Sequence, residues 1–436
     1  MRYLGFRKSK DIKESTMEHN DTMQHTISKP IPPIDQVTGL IGNGYEHINE
    51  VCSDLTELSV SSNTNNSPIV VESKTDVIHI DPVQIERLRL SKYSLNCGYT
   101  DNYGCYIPVK NELINDRYLD LANCIGVGAF SNVIEAYDNT TKNHVAIKMG
   151  KYGDKIYSDA ITKEYNFMKY LNEKNCYGIM VILDHFIFHN HNCIVMPIMK
   201  MSLYRALNTK IMNVQNMKYI SYQLVLIVKG LIEYGIIHCD IKPHNILIDD
   251  FFNIKLIDFG LAVTIGQRVS HYIQTRWYRS PEVILNLQTD YNYATMDIWS
   301  CACIIFEIFT KTVLFRGRAS YDETRGHSYN QLLTIIGTLG DIPQSILIFC
   351  NTVPDNHVMN YYNCSQNKGF YINGKDFVKY PSIEDRINAT HYDITLKKQL
   401  VDLLLGMLNY NTIDRLKPKD ILETNFFKNI HSIFNI

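Results

Sequence analysis

The amino-acid sequence predicts an α+β protein of two lobes, the first β-rich and the second α-rich, behind a disordered N-terminal tail. Three patterns carry that prediction. Residues 1–95 are polar and broken by prolines. From Tyr118 to Lys148 the residues alternate at the period of a strand. Beyond Ser202 the apolar residues recur mostly at helical spacing.

Taken in order, the tail holds Lys29-Pro30-Ile31-Pro32-Pro33 and the polar run from Ser61 to Pro68. Val77 to Ile80 and Ile85 to Leu90 are short apolar pieces suited to a strand or helical turn docked on the folded body. Residues 96–199 form the expected β-rich lobe: strand, glycine-containing turn and strand from Tyr118 to His144, then Val145-Ala146-Ile147-Lys148 as a third strand. Ala160 to Leu171 has helical spacing, and Ile179 to Phe188 and Cys193 to Met196 return to strand character. Residues 200–436 form the helical lobe, where Met217, Ile220, Leu224, Ile227, Val228 and Leu231 mark one long amphipathic helix.

The 436 residues allow about three domains of roughly 150 each, although two-lobed enzymes use that length as one unit. The 43 basic and 45 acidic side chains leave a formal charge of −2, so no basic surplus points to nucleic acid or an anionic membrane. Met1 to Ile12 is basic but leads into no apolar run of seven residues, and neither a secretory nor a matrix-targeting signal is expected. Ile298 to Phe309, the greasiest stretch, is too short to span a bilayer and contains Glu307; a buried helix is expected. Eleven cysteines without paired CxxC clusters argue against zinc and for reduced thiols in a cytosolic or nuclear compartment. The abundance of Asn, Ile, Lys and Tyr suits an AT-rich coding sequence from a protist or a large DNA virus, in which case the compartment is the virion or host cytoplasm. No heptad stripe is visible, and a monomer is expected.

The first chemical motif is Gly126-Val127-Gly128-Ala129-Phe130-Ser131-Asn132-Val133, between two strands. Glycines let a backbone approach phosphates and donate N–H groups to them, but they also suit a plain hairpin turn that needs positive φ. A dinucleotide-binding reading fails because a strand, not a helix, follows. Twenty residues after Gly128 comes Lys148, and sixteen later Glu164 on a helix. Such a lysine grips nucleotide phosphates when a carboxylate holds it, while each residue singly reads equally as a solvated charge. After the long helix stands His238-Cys239-Asp240-Ile241-Lys242-Pro243-His244-Asn245, and thirteen residues beyond Asn245 comes Asp258-Phe259-Gly260 behind the apolar strand Ile254 to Ile257.

The order and spacing of these motifs resemble the protein-kinase signature set. The resemblance implies a bilobal protein-kinase fold, ATP and Mg²⁺ as cofactors, and protein substrates. It assigns Asp258 and Asn245 to the metals, Asp240 to the substrate hydroxyl, and Lys242 to the moving phosphoryl group. Lys148, fixed by Glu164, would hold the α- and β-phosphates. Gly126, Val127, Gly128, Ala129, Phe130, Ser131, Val133 and Ala146 would line the nucleotide, and His238 would be architectural. Val195-Met196-Pro197-Ile198-Met199 aligns with the hinge: Met196 as gatekeeper, and the backbones of Pro197 and Met199 against the adenine edge.

Thr275-Arg276-Trp277-Tyr278-Arg279-Ser280-Pro281-Glu282 is similar to the end of the activation segment in the CMGC group, whose characteristic arginine is Arg276. The same resemblance pairs Glu282 with Arg415 and sets Asp297 to brace the catalytic loop. Gly104 to Lys110 leading to Asp116-Arg117-Tyr118, Phe130-Ser131, Ile273 to Arg276 and Leu339 to Pro343 resemble the SR-protein kinases in particular. This implies a non-specific serine/threonine kinase acting on Arg/Ser-rich proteins. Several departures from the kinase or SR-protein-kinase pattern stand beside this. Cys239 stands where most kinases have Arg, an arginine that SR-protein kinases also lack, so the usual cationic partner for a loop phosphate is missing. Tyr272 sits where DYRK kinases carry an autophosphorylated tyrosine. The acidic groove is thinned to Asp322 and Glu323, and the insert between lobes is absent. A DYRK-like dual-specificity kinase and a pseudokinase scaffold are the rival readings.

Overall fold

The computed structural model describes residues 69–72, 77–267, 273–287, 295–317, 326–353, 355–366, 368–372, 379–428 and 430. The expected disordered tail up to residue 68, together with Tyr272, Asp322 and Glu323, lies outside the described residues.

Val77–Ile80 is a strand, paired antiparallel with Ile69–Glu72. Ile85 to Leu90 falls in helix α1, Pro82–Ser91, which Asp81 caps by accepting the Val83 N–H, with proline in the first turn. The boundary expected at residue 95 is therefore corrected, since Arg87 of α1 is 5% exposed and its guanidinium bonds Glu112, the Gly98 carbonyl and the Tyr106 hydroxyl. A buried arginine so paired belongs to the folded body rather than to a solvated tail.

The β-rich lobe is an antiparallel sheet of β1 (Leu113–Ile114), β2 (Tyr118–Val127), β3 (Ser131–Asp138), β4 (Asn143–Gly150), β5 (Asp184–Phe188) and β6 (His191–Pro197), in the order β1-β2-β3-β4-β6-β5. From Asn132 onward β3 buries every second residue, as an alternating strand should. Tyr106, Ile134, Val145, Ile147, Cys193 and Val195 meet in one small core. Helix α2 (Lys155–Glu173) follows β4, is capped by Asp154, and buries Ile161, Glu164, Met168 and Leu171 as one stripe. The strand expected from Ile179 begins only at Asp184. Met180 instead donates its N–H to Leu256 O at 3.1 Å, and Leu256 donates to Gly178 O at 2.8 Å, so this stretch is committed to the second lobe.

In the second lobe helix α3 (Val214–Glu233) presents Met217, Ile220, Leu224, Ile227, Val228 and Leu231 to the core. Short strands β7 (Ile246–Ile248) and β8 (Ile254–Leu256) pair antiparallel beside it. The apolar stretch is the middle of α4 (Met296–Thr310), buried along all but its last residue, with Glu307 accepting the Tyr278 hydroxyl at 2.7 Å. Helices α5 (Gly326–Leu339) and α6 (Ile394–Met407) complete the core. Among the described residues no helix is long and apolar enough to cross a membrane.

Candidate active site

The glycine hairpin joins β2 to β3, with Gly126 opposite Val133 and Val127 opposite Asn132, and the Gly128 N–H donates to Ser131 O at 2.7 Å. Neither Gly126 nor Gly128 has left-handed φ, and a Cβ at either place would meet its nearest neighbour at ordinary contact distances of 3.7 and 3.5 Å. The turn itself therefore does not require glycine. Without side chains at these two places the backbone stays open to close approach. Val127 and Phe130 stand out from the hairpin, exposed by 73% and 37%, while Ser131 is buried.

Behind the hairpin, Val133 pairs with Lys148, and Ala146 faces Met196 across β4 and β6. Lys148 Nζ lies 2.5 Å from Glu164 Oε2 and 3.1 Å from Asp258 Oδ1. Burial alone would lower the lysine's pKa, but the two carboxylates outweigh it and hold the ammonium above its ordinary range. Burial likewise works to raise Asp258, and Lys148, with His238 and Lys242, outweighs it, so this carboxyl sits below the usual carboxylate range. Burial pushes Glu164 up against the pull of Lys148. The result is a fixed positive charge at the back of the cleft, with the Asp258 side chain 42% exposed in front of it.

The catalytic-loop residues are held by their neighbours. Asp297 accepts the N–H groups of His238 at 2.7 Å and Cys239 at 3.2 Å. His238 Nδ1 accepts the Asp240 N–H at 3.2 Å, so Nε2 carries the proton it donates to Ile257 O at 3.0 Å. Its ring also stacks edge-on against Phe259. This one imidazole couples the loop bearing Asp240 to the strand end bearing Asp258. Asp240 Oδ2 accepts from Lys242 Nζ at 2.6 Å, and the Asn245 amide nitrogen reaches both Asp240 O at 2.9 Å and Oδ2 at 3.3 Å. Both amide hydrogens of Asn245 are thus turned to Asp240, which leaves its carboxamide oxygen as an acceptor.

Cys239 is fully buried in an apolar cluster with Ile237, Val263, Ile273, Val283 and Met296, and burial pushes its thiol well above the ordinary range. No cation stands at that position. Arg415 is also buried and grips Glu282 through two nitrogens at 2.6 and 2.9 Å.

Two residues quoted only as part of a motif prove central. Thr275 donates its N–H and hydroxyl to Asp240 Oδ1 at 3.0 and 2.7 Å while accepting from Lys242 Nζ at 3.2 Å. Gln274 is 4% exposed with φ 61°. Its amide donates to Met296 O and Ser300 Oγ, its side-chain oxygen accepts from Ser280, and its carbonyl accepts two Arg279 bonds. The Gln274 N–H also donates to the carbonyl of Cys239, itself left-handed at φ 67°, so two strained residues brace one another. In the sequence these residues stood out only as members of the Ile273 to Arg276 and Thr275 to Glu282 motifs, which give no bond partners.

Met196 is 6% exposed at the end of β6, and Pro197 and Met199 follow at the change of lobe, partly buried. The hairpin, Lys148, Ala146, Met196, Asp240, Asn245 and Asp258 thus belong to strands and loops that meet between the two lobes. One carboxylate and one carboxamide oxygen, both hard ligands, are the donor set Mg²⁺ takes when phosphates complete its shell. The residues present fit a magnesium nucleotide.

A family model of the protein kinase domain matches residues 119–427. The chain is 36% identical over 262 residues to dual specificity tyrosine-phosphorylation-regulated kinase 2 of Drosophila melanogaster, covering 58% of this chain and 34% of that protein. It is 34% identical over 260 residues to the putative dual specificity tyrosine-phosphorylation-regulated kinase 3 homolog of the same organism, covering 58% and 30%. The matched region is about a third of the length of these curated relatives. A family match over more than half the chain, with the lysine, the two aspartates and the asparagine gathered between the lobes, makes this chain a member of the protein kinase domain family.

Proposed function

We propose that this chain is a Mg²⁺- and ATP-dependent protein kinase that transfers a phosphoryl group to serine and threonine hydroxyls of proteins. The observation that carries the reading is Lys148 clamped between Glu164 and Asp258, with Asp240 and Asn245 hydrogen-bonded to each other in the same cleft. The bound nucleotide supplies the γ-phosphoryl group, and the metal supplies positive charge against its oxygens. Asp258 and Asn245 hold the metals. Lys148 holds the α- and β-phosphates, and Asp240 orients the attacking hydroxyl and takes its proton. Lys242, turned toward Asp240 and Thr275, neutralises charge on the group in flight.

For substrate class the DYRK-like reading has the better support. Both Drosophila relatives are named dual-specificity kinases. Arg276 holds a buried Nε without a hydrogen-bond partner among the described residues, and it follows Tyr272 by four positions in the sequence. The SR-protein-kinase-like reading needs carboxylates along the groove, and His327 to Gln331 at the start of α5 supplies none.

The test is transfer from labelled ATP, with magnesium, to an Arg/Ser-repeat peptide, a proline-directed peptide and a generic basic protein, together with phosphopeptide mapping of bacterially expressed chain. Phosphate on Tyr272 with activity on the latter two substrates is expected. Strong preference for the repeat would restore the SR-protein reading, and no transfer to any substrate would leave a scaffold.

A further inference from the structure

The stretch from Pro82 to Glu112 lies N-terminal to the kinase-family match, and three of its contacts converge on the strands that carry the glycine hairpin. The first involves Asn132, in the strand residue directly after Ser131 and 2% exposed. Its carboxamide makes a two-point bond with the Tyr106 backbone: the Tyr106 N–H donates to Oδ1 at 3.2 Å, and Nδ2 donates to Tyr106 O at 2.9 Å. The second involves Asp120 on β2, which accepts the Val109 N–H at 3.0 Å and the Ala122 N–H at 2.7 Å, where the β2–β3 register shifts. A bulge re-aims the strand beyond it, and here that strand runs into Gly126. The third is at the end of β4: Tyr152 donates to Gly104 O at 2.8 Å while the neighbouring Lys151 donates to Phe130 O at 2.9 Å. Gly104 has φ 82°, and a Cβ there would lie 2.7 Å from Tyr152 O, so only glycine fits this approach.

Tyr106 is in turn immobilised. Its hydroxyl sits among Glu112, Asp120 at 3.1 Å and Arg87 Nη2 at 3.0 Å, and Arg87 also bonds the Gly98 carbonyl at 2.7 Å. Both strands flanking the nucleotide hairpin are therefore tied directly to a segment outside the family match, and the hairpin tip is tied to it through two hydrogen bonds made by the neighbours Lys151 and Tyr152.

We infer that residues 82–112 act as a collar that sets the position of the glycine hairpin, and that Asn132 is the positioning residue through which the collar acts on nucleotide binding. The Asn132 carboxamide is turned to the Tyr106 backbone, so it acts by position and not by contact with phosphate. The inference rests on the proposed ATP site, and it assigns the collar a role in affinity for nucleotide beyond stability alone.

The test uses the full chain and measures Mg²⁺–ATP binding directly by calorimetry, beside steady-state transfer and thermal melting. Asn132→Ala is expected to weaken ATP binding and raise the KM for ATP by about 5- to 20-fold, with the protein-substrate KM within twofold. Tyr106→Phe keeps the backbone pair to Asn132 and loosens only the anchor. It is expected to lower Tm with ATP affinity within about twofold. Should Asn132→Ala lower Tm but bind ATP as tightly as the unaltered chain, the collar is merely structural and the inference falls. An unaltered chain that bound no ATP would instead overturn the nucleotide site and this inference with it.

Discussion

Lys148 is the residue on which the cleft's electrostatics turn, because two carboxylates share it and only one of them, Asp258, opens toward the ligand. Asp258→Asn is expected to retain the fold and lose at least about 10²-fold in transfer, the scale of removing one preorganised charge contact, as read by labelled-ATP assay and circular dichroism. The pH dependence follows from the same geometry. Asp258 is held below the usual carboxylate range, so its stabilising share is present above the unfolded value near 3.9 and is lost as pH falls through the folded one. Lys148 is held above its ordinary range, so its share is complete below about 10.4 and is lost only as pH rises through the raised value. The Tm difference between the unaltered chain and Asp258→Asn should therefore be flat from about pH 6 to 9 and shrink below about pH 4. Gln274 offers a second check. Gln274→Ala strips partners from Met296 O, Ser300 and Ser280 in a fully buried setting, and about 2–4 kcal/mol of stability is expected to be lost in urea titration.

Among the elements, α4 holds the loop that bears Asp240, for Asp297 in its first turn accepts two backbone N–H groups just before that residue. Burial holds the Asp297 carboxyl above the usual range, against the opposing pull of His238 and those bonds. At the start of the same helix Thr295 accepts from Arg415, whose guanidinium stacks over Trp299 at 5.3 Å and carries the pair with Glu282. Breaking a buried pair by removing one partner costs about 3–5 kcal/mol, because the other charge stays buried. Arg415→Leu is expected to cost that much in equilibrium unfolding, whereas an exposed lysine such as Lys398 should tolerate the change within about 0.5 kcal/mol.

For the whole molecule, the collar changes where the folded body begins. Polar composition alone made residues 1–95 dispensable, yet removing α1 strips Arg87 from Glu112 and Tyr106 in a buried setting. A chain lacking 1–95 is expected to melt roughly 5–15 °C below one lacking only 1–68, measured by differential scanning fluorimetry. The two lobes differ in what holds them. The β-rich lobe has a small apolar core and relies on buried polar ties such as Arg87–Glu112 and Asn132–Tyr106. The helical lobe is packed around α3 and α4.

Strand alternation, helical stripes and the ordered run of glycines, Lys148, Glu164, Asp240, Asn245 and Asp258 determined the two-lobed fold and the family from sequence alone. These signals are local or fixed in spacing, because each element must bury one face and phosphoryl transfer needs the same charges in the same order. Only the tertiary structure decided the rest. Thr275 meets Asp240 from 35 positions away, and Tyr106 meets Asn132 from 26. Contacts at such separations leave no periodic trace, and a buried arginine or glutamine reads in sequence like a solvated one. Arg87 and Gln274 were for that reason invisible until the chain that desolvates them was folded around them.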